Sequence, residues 1–335
     1  MSLIYSPFLL LTMSTLLLST VMAMSSTNWI LLWGAMELNL LSFIPVMLQT
    51  KSHQEVEGSV KYFLAQALGS ALLLASSTSM WMPFSLATNY VPLLLTSALL
   101  LKLGSVPCHF WYPSVMSSIS WTSCLVLSSW QKLAPLSILA FLLPQKHMHL
   151  MMVAAAFNAL VGGTMGMNQS QLRTIMAYSS IGHIGWMLSL VVVLKPTAAF
   201  FYLFVYSALI IPVFMTLGHL NITLMKHLNA AISSNMALLV PLPILLMSLG
   251  GLPPLTGFMP KLMTMMMLSN SMMLLMIPLI LGSLMNLYFY LNIAINIMFS
   301  APAFKSYFPV KKVIPTNPVI VICIASLGLS PLIMM

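Results

Sequence analysis

Four ionisable side chains lie in the middle of long uncharged apolar stretches: Glu37, Lys102, Lys132 and Lys261. One acid and three amines placed this way can hold, release and pass on protons. Lysine suits that task better than arginine, because an ammonium changes protonation on burial and a guanidinium does not. Burial disfavours the charged form of either group and pairing favours it, so a buried Glu–Lys pair can switch when a neighbouring charge moves. A charge at the centre of a membrane helix costs about 2.5–3.5 kcal/mol on insertion scales, and residues retained there mark ion and proton pathways. His183, in Tyr178-Ser-Ser-Ile-Gly-His183, is a fifth candidate, since it stands mid-segment beside hydroxyls. The competing readings are a packing ion pair for Glu37 and a hydrogen-bonded packing histidine for His183.

The elements that must position these groups follow from composition. The chain has 335 residues, 60% of them hydrophobic and 4% charged. Soluble domains carry roughly 25% charged residues, so this one cannot cover a water-facing surface. Runs of about 20 apolar residues mark spanning helices. Eleven are expected, at 3–23, 28–49, 61–81, 91–112, 116–143, 150–167, 172–193, 197–220, 235–269, 271–298 and 315–334. The runs are unbroken and rich in Leu and Met, whereas a strand barrel would alternate polarity over short segments. The expected fold is therefore an all-α polytopic membrane protein forming a single transmembrane domain over 1–335. Its first segment reads as a spanning helix and not as a cleavable signal.

Two segments carry breaks. In the fourth, Lys102-Leu-Gly-Ser-Val-Pro107 is followed by Cys108-His109-Phe-Trp-Tyr-Pro113, and in the ninth Gly250-Gly-Leu-Pro-Pro-Leu-Thr-Gly-Phe-Met-Pro260 precedes Lys261. Proline removes a backbone donor and clashes with the preceding turn. Broken backbone at membrane depth is tolerated only where protein or a water-filled cavity satisfies the freed groups. A lysine beside a Gly/Pro break thus occurs twice, which points to two pseudo-equivalent halves. Pro135 is expected to bend the fifth segment near Lys132. The stretch from Lys51 to Lys61, with Glu55 and Glu57, reads as a hydrated loop.

The remaining charges set topology. Lys51, Lys61, Arg173, Lys226, Lys305, Lys311 and Lys312 fall on the side of the N-terminus and only Lys146 and Lys195 on the other. Seven against two puts the N-terminus in the cytoplasm, or in the matrix of a mitochondrion, with the C-terminus opposite. The +9 charge is scattered over short loops with no basic face, so no nucleic acid is expected as a partner. No nucleotide-binding glycine motif occurs. No two histidines share ligand spacing with a carboxylate, so no metal is expected, and Cys108, Cys124 and Cys323 read as small buried apolar residues.

Five stretches, in order, carry a resemblance: Trp33-Gly-Ala-Met-Glu37-Leu-Asn-Leu-Leu-Ser-Phe-Ile-Pro45, Lys102-Leu-Gly-Ser-Val-Pro-Cys-His-Phe-Trp111, Trp130-Gln-Lys132-Leu-Ala-Pro-Leu-Ser137, Asn168-Gln-Ser-Gln-Leu-Arg173-Thr-Ile-Met-Ala-Tyr-Ser-Ser180 and Gly250-Gly-Leu-Pro-Pro-Leu-Thr-Gly-Phe-Met-Pro-Lys261. Together they resemble the chain 2 family of NADH–ubiquinone oxidoreductase, the mitochondrially encoded antiporter-like subunits of respiratory complex I. The match at Ser105 and Cys108 is looser than elsewhere. The resemblance implies two inverted five-helix repeats, each with one broken helix, in the membrane arm of a proton-translocating NADH:ubiquinone reductase of the mitochondrial inner membrane. It makes Glu37 and Lys102 a charged pair, Lys132 a central relay lysine and Lys261 an exit-half lysine. It implies other membrane-arm subunits, neighbouring antiporter-like subunits, accessory subunits and lipids such as cardiolipin as partners. It places NADH, FMN, iron–sulfur clusters and ubiquinone on other subunits, with no cofactor in this chain. A stand-alone cation/proton antiporter and a purely structural membrane spacer are the alternatives.

Overall fold

The computed structural model describes residues 7–49, 52–81, 90–142, 148–226, 228 and 240–299. They form α1 (Pro7–Ser25), α2 (Trp29–Met47), α3 (His53–Trp81), α4 (Val91–Leu103), α5 (Trp111–Ser118), α6 (Trp121–Ser128), a 3-10 turn (Trp130–Lys132), α7 (Leu133–Leu142), α8 (Met148–Met167), α9 (Leu172–Val192), α10 (Pro196–His219), α11 (Pro241–Gly250), α12 (Phe258–Ser269) and α13 (Met273–Phe299). Among the described residues eight stretches are long and apolar enough to cross a membrane, and α4 and α11 are shorter apolar helices, each the first half of a broken one. These account for ten of the eleven expected spans. The segment at 315–334, the loop lysines Lys51, Lys146, Lys305, Lys311 and Lys312, and Cys323 lie outside the described residues.

Two expectations need correction, and a third is made specific. The stretch after Lys51 is helix and not loop: Ser52 Oγ accepts from the Glu55 amide at 3.3 Å and caps α3, while Glu57 and Lys61 pair one turn apart at 2.6 Å. Polar residues at an N-terminus with a serine cap extend a helix beyond its apolar run. Glu55 is also buried, at 3% exposure. In the fifth segment the expected bend is present and lies at Ser129–Lys132, one turn ahead of Pro135. A proline has no N–H to give the carbonyl four residues back, here that of Gln131, and its ring crowds that carbonyl, so the chain tightens there into a 3-10 turn. Finally, Cys108 is exposed; only Cys124 is buried of the two described cysteines.

The chain groups into two compact units, the residues up to Ala154 with Leu194–Pro196, and Ala155–Val193 with those from Thr197 on. In the first unit α1 packs on α2, α2 on α3, and α3 on both α4 and α5. Gly58 of α3 lets Ser118 of α5 approach, and Gly69 makes room for Lys102, since a methyl at 69 would lie 2.9 Å from Lys102 Cγ. In the second unit α9 is buried along almost its whole length. Small residues allow its tight packing: a methyl on Gly162 of α8 would lie 2.7 Å from the Gly182 amide and the Tyr178 carbonyl, and one on Gly185 2.8 Å from the Ala155 carbonyl. Helix association in lipid depends on such close backbone approach.

The two breaks share one hydrogen-bond register. In the first, Gly104 at φ 72° donates to Leu101 and Ser105 to Leu100; in the second, Gly251 at φ 85° donates to Ser248 and Leu252 to Met247. Each pair runs from the left-handed glycine three residues back and from its successor five residues back, the usual way a helix ends on a glycine. Beyond the turn, Tyr112 donates to His109 and Met259 to Thr256, again in the same register. The doubled pattern of lysine and Gly/Pro break is thus a repeated backbone motif.

Candidate functional site

In the first unit the last carbonyls of α4 would be stranded at membrane depth, yet each of three has a partner. Leu100 accepts from the Ser105 amide at 3.0 Å and its hydroxyl at 2.8 Å, Leu101 from Gly104 at 3.0 Å and the Trp111 indole at 3.1 Å, and Lys102 from the Gln66 amide at 3.1 Å. A buried carbonyl without a donor costs about 1–3 kcal/mol. The capped end of α4 therefore holds Lys102 in a fixed turn, 6% exposed.

Lys102 and Lys132 line one cavity. Asn39, Tyr62, Gln66, Tyr112 and Gln131 supply its polar wall, and the space open to water centres is ≈ 20 Å³, enough for a single water by the ~10–15 Å³ criterion. Lys132, on the 3-10 turn, points its ammonium over the Tyr112 ring at 5.5 Å from the centroid, within the ~6 Å range of a cation–π contact. Gln131 beside it donates to Asn39 Oδ1 at 2.8 Å, and Ser123 of α6 donates to the Val46 carbonyl of α2 at 3.0 Å. The first bond ties the tightened turn to α2 and the second ties α6 to it. Glu37, half-buried on α2, lies within electrostatic reach of Lys102. Among the described residues the two do not close into a contact ion pair.

In the second unit Lys261, 3% exposed in the first turn of α12, reaches back across its break and donates to the Gly250 carbonyl at 2.7 Å. A cation at the C-terminal end of a helix meets its last carbonyls and the negative end of its dipole. The geometry requires glycine at 251: its φ is left-handed, and a methyl there would lie 2.7 Å from Lys261 Nζ. His183 of α9 shares its Nδ1 with the Tyr202 hydroxyl at 2.8 Å, and its ring lies 4.7 Å from that of Tyr206. A small cavity of ≈ 10 Å³ is bounded by His183, Tyr202, Tyr206, Gly257 and Pro260, so His183 faces the break that carries Lys261.

The family described as "NADH:quinone oxidoreductase/Mrp antiporter, TM" matches residues 26–286. The chain is 62% identical to the NADH-ubiquinone oxidoreductase chain 2 of Lumbricus terrestris, over 100% of both chains. The chain belongs to the NADH-ubiquinone oxidoreductase chain 2 family. A second chain 2 relative, from Didelphis virginiana, is 38% identical over 86% of this chain and 85% of its own. Among solved structures, a chain of respiratory complex I from Thermus thermophilus shares the fold with a TM-score of 0.84 at 22% identity, covering 98% of this chain and 79% of that one. A chain of the Mrp complex from Dietzia sp. does so with 0.80 at 16% identity, covering 96% and 74%.

Within this chain 2 fold the five predicted residues separate by unit. Glu37, Lys102 and Lys132 fall in the first, with the two lysines on one cavity; Lys261 and His183 fall in the second, both at one break. Sequence reading passed over Asn39, Gln66, Gln131, Tyr112 and Tyr202. The available signal was the same as for the charges, a polar side chain inside an apolar segment, but at lower cost per residue. Amides and hydroxyls are common enough in membrane helices that this signal alone does not single them out.

Proposed function

We propose that the chain is a proton-translocating subunit of the membrane arm of respiratory complex I, moving protons through Glu37, Lys102, Lys132 and Lys261 with His183 as a further station. A proton leaves one ammonium, crosses by way of water and adds to the neutral amine of the next, so charge and protons balance at each hand-over. Glu37 acts on Lys102 through space, and a change of charge on Glu37 alters the preferred state of Lys102. The observation that carries this reading is the pair of lysines on one polar-walled cavity in the first unit. Electron transfer from NADH to ubiquinone, with its FMN and iron–sulfur clusters, takes place in other subunits, and this chain carries no cofactor. Its setting is the mitochondrial inner membrane with the N-terminus in the matrix and the C-terminus in the intermembrane space, against neighbouring antiporter-like and accessory subunits and lipids such as cardiolipin.

Lys132→Met in the assembled complex tests it. The thioether stem fills the space of the lysine stem without a titrating group. The expected outcome is normal assembly with fewer protons moved per NADH oxidised, measured in sealed vesicles. Wild-type stoichiometry in this variant would exclude Lys132 from the relay.

A further inference from the structure

The shared register of the two breaks extends to a side-chain position. Counted from the left-handed glycines Gly104 and Gly251, both breaks place a proline three residues on, Pro107 and Pro254, and a second nine residues on, Pro113 and Pro260. Five residues on, both place a polar residue, His109 and Thr256. Both are buried, at 4% and 6% exposure, although the prolines just before them are exposed. The backbone carbonyl of each is used alike, accepting from the amide three residues further on.

Each side chain also carries a buried polar atom with no partner among the described residues, Nε2 of His109 and Oγ1 of Thr256. Nδ1 of His109 lies 3.3 Å from the Pro107 carbonyl. That contact puts the ring proton on Nδ1 and leaves Nε2 of the neutral ring as an acceptor. The Thr256 hydroxyl both donates and accepts. The great majority of buried polar atoms in native proteins are hydrogen-bonded, to protein or to an ordered water. Two such atoms stand at one register position in breaks that otherwise share only the glycine and the two prolines.

We propose that this position is a water-binding site in each unit, with His109 and Thr256 as its anchors. In each unit the ligand is one water molecule: in the first it donates to His109 Nε2, and in the second it donates to or accepts from Thr256 Oγ1. Each site lies in the same break as that unit's lysine, five residues before Lys261 and seven after Lys102 in sequence. Its place in the same break as a relay lysine is what links such a water to proton transfer. That link to proton transfer rests on the relay reading; the hydration site does not.

A map of the intact complex that resolves ordered water reads the proposal directly. Density is expected at hydrogen-bond distance, about 2.7–3.2 Å, from His109 Nε2 and from Thr256 Oγ1. Thr256→Val keeps the shape of the side chain, so it reports on the water even if His109→Leu fails to assemble. In Thr256→Val the density should be lost and fewer protons moved per NADH oxidised; Thr256→Ser should restore both. The proposal is overturned if both atoms are met by a protein or lipid group in the complex, or if Val and Ser at 256 behave alike. Water at both positions together with normal pumping in Lys132→Met would overturn the relay and leave the hydration sites standing.

Discussion

At position 251 the absence of one methyl group decides whether Lys261 can cap the helix before it. Gly251 sits at φ 85° and a Cβ there would come within 3.0 Å of both Nζ and Cδ of Lys261. Its neighbour Gly250 has no such demand: a methyl there meets nothing closer than 3.5 Å. The left-handed conformation costs a non-glycine residue about 1–2 kcal/mol. Gly251→Ala should therefore lower stability by about that amount and displace the Lys261 ammonium, while Gly250→Ala should be tolerated. Thermal unfolding of the two variants in the assembled complex, side by side, checks this. Equal melting would show that the break does not depend on the glycine at 251. The sequence marks both glycines equally, because the sign of φ depends on which of them ends the helix.

At the scale of elements, the breaks work because the ends of the half-helices are capped by side chains from other helices. The bond from Gln66 on α3 to the Lys102 carbonyl is the one that no local sequence rule supplies. Gln66→Leu leaves that carbonyl without its donor and should cost about 1–3 kcal/mol, read as faster amide exchange around 100–105 with α1 unchanged. Unchanged exchange there would mean the carbonyl has another donor. Of the fold at this scale, the apolar runs made nearly every span legible, and Gly/Pro spacing located both breaks. What was not legible had a physical cause in each case. Residues 53–60 read as loop because hydropathy ignores capping, and the form of the bend before Pro135, a 3-10 turn at Trp130–Lys132, does not follow from the proline's position alone.

At the scale of the whole molecule, the two units share a plan while their lysines are placed differently. Lys102 lies in the last turn before its break, and Lys261 in the first turn after its own. The first lines a cavity shared with Lys132, and the second turns back onto a carbonyl. The second unit is held by close backbone contact around α9. Gly162→Ala puts a methyl against backbone atoms of α9 that cannot give way; overpacking of this kind costs about 1–3 kcal/mol. Amide exchange should quicken in residues 155–193 and 197–299 and stay unchanged in 7–142. A uniform change across both units would show that they do not unfold separately.

Sequence alone determined that this chain is a membrane bundle, and it singled out Glu37, Lys102, Lys132 and Lys261, because charge in an apolar run is costly whatever the fold. It also showed two glycine- and proline-rich interruptions, since those residues act on their own backbone. Only the tertiary structure decided that Lys102 and Lys132 face one cavity, that Lys261 bonds to Gly250, and that His109 and Thr256 occupy one register position. These depend on distances between residues far apart in the chain or on the sign of a single dihedral angle, and neither is encoded in hydropathy or spacing.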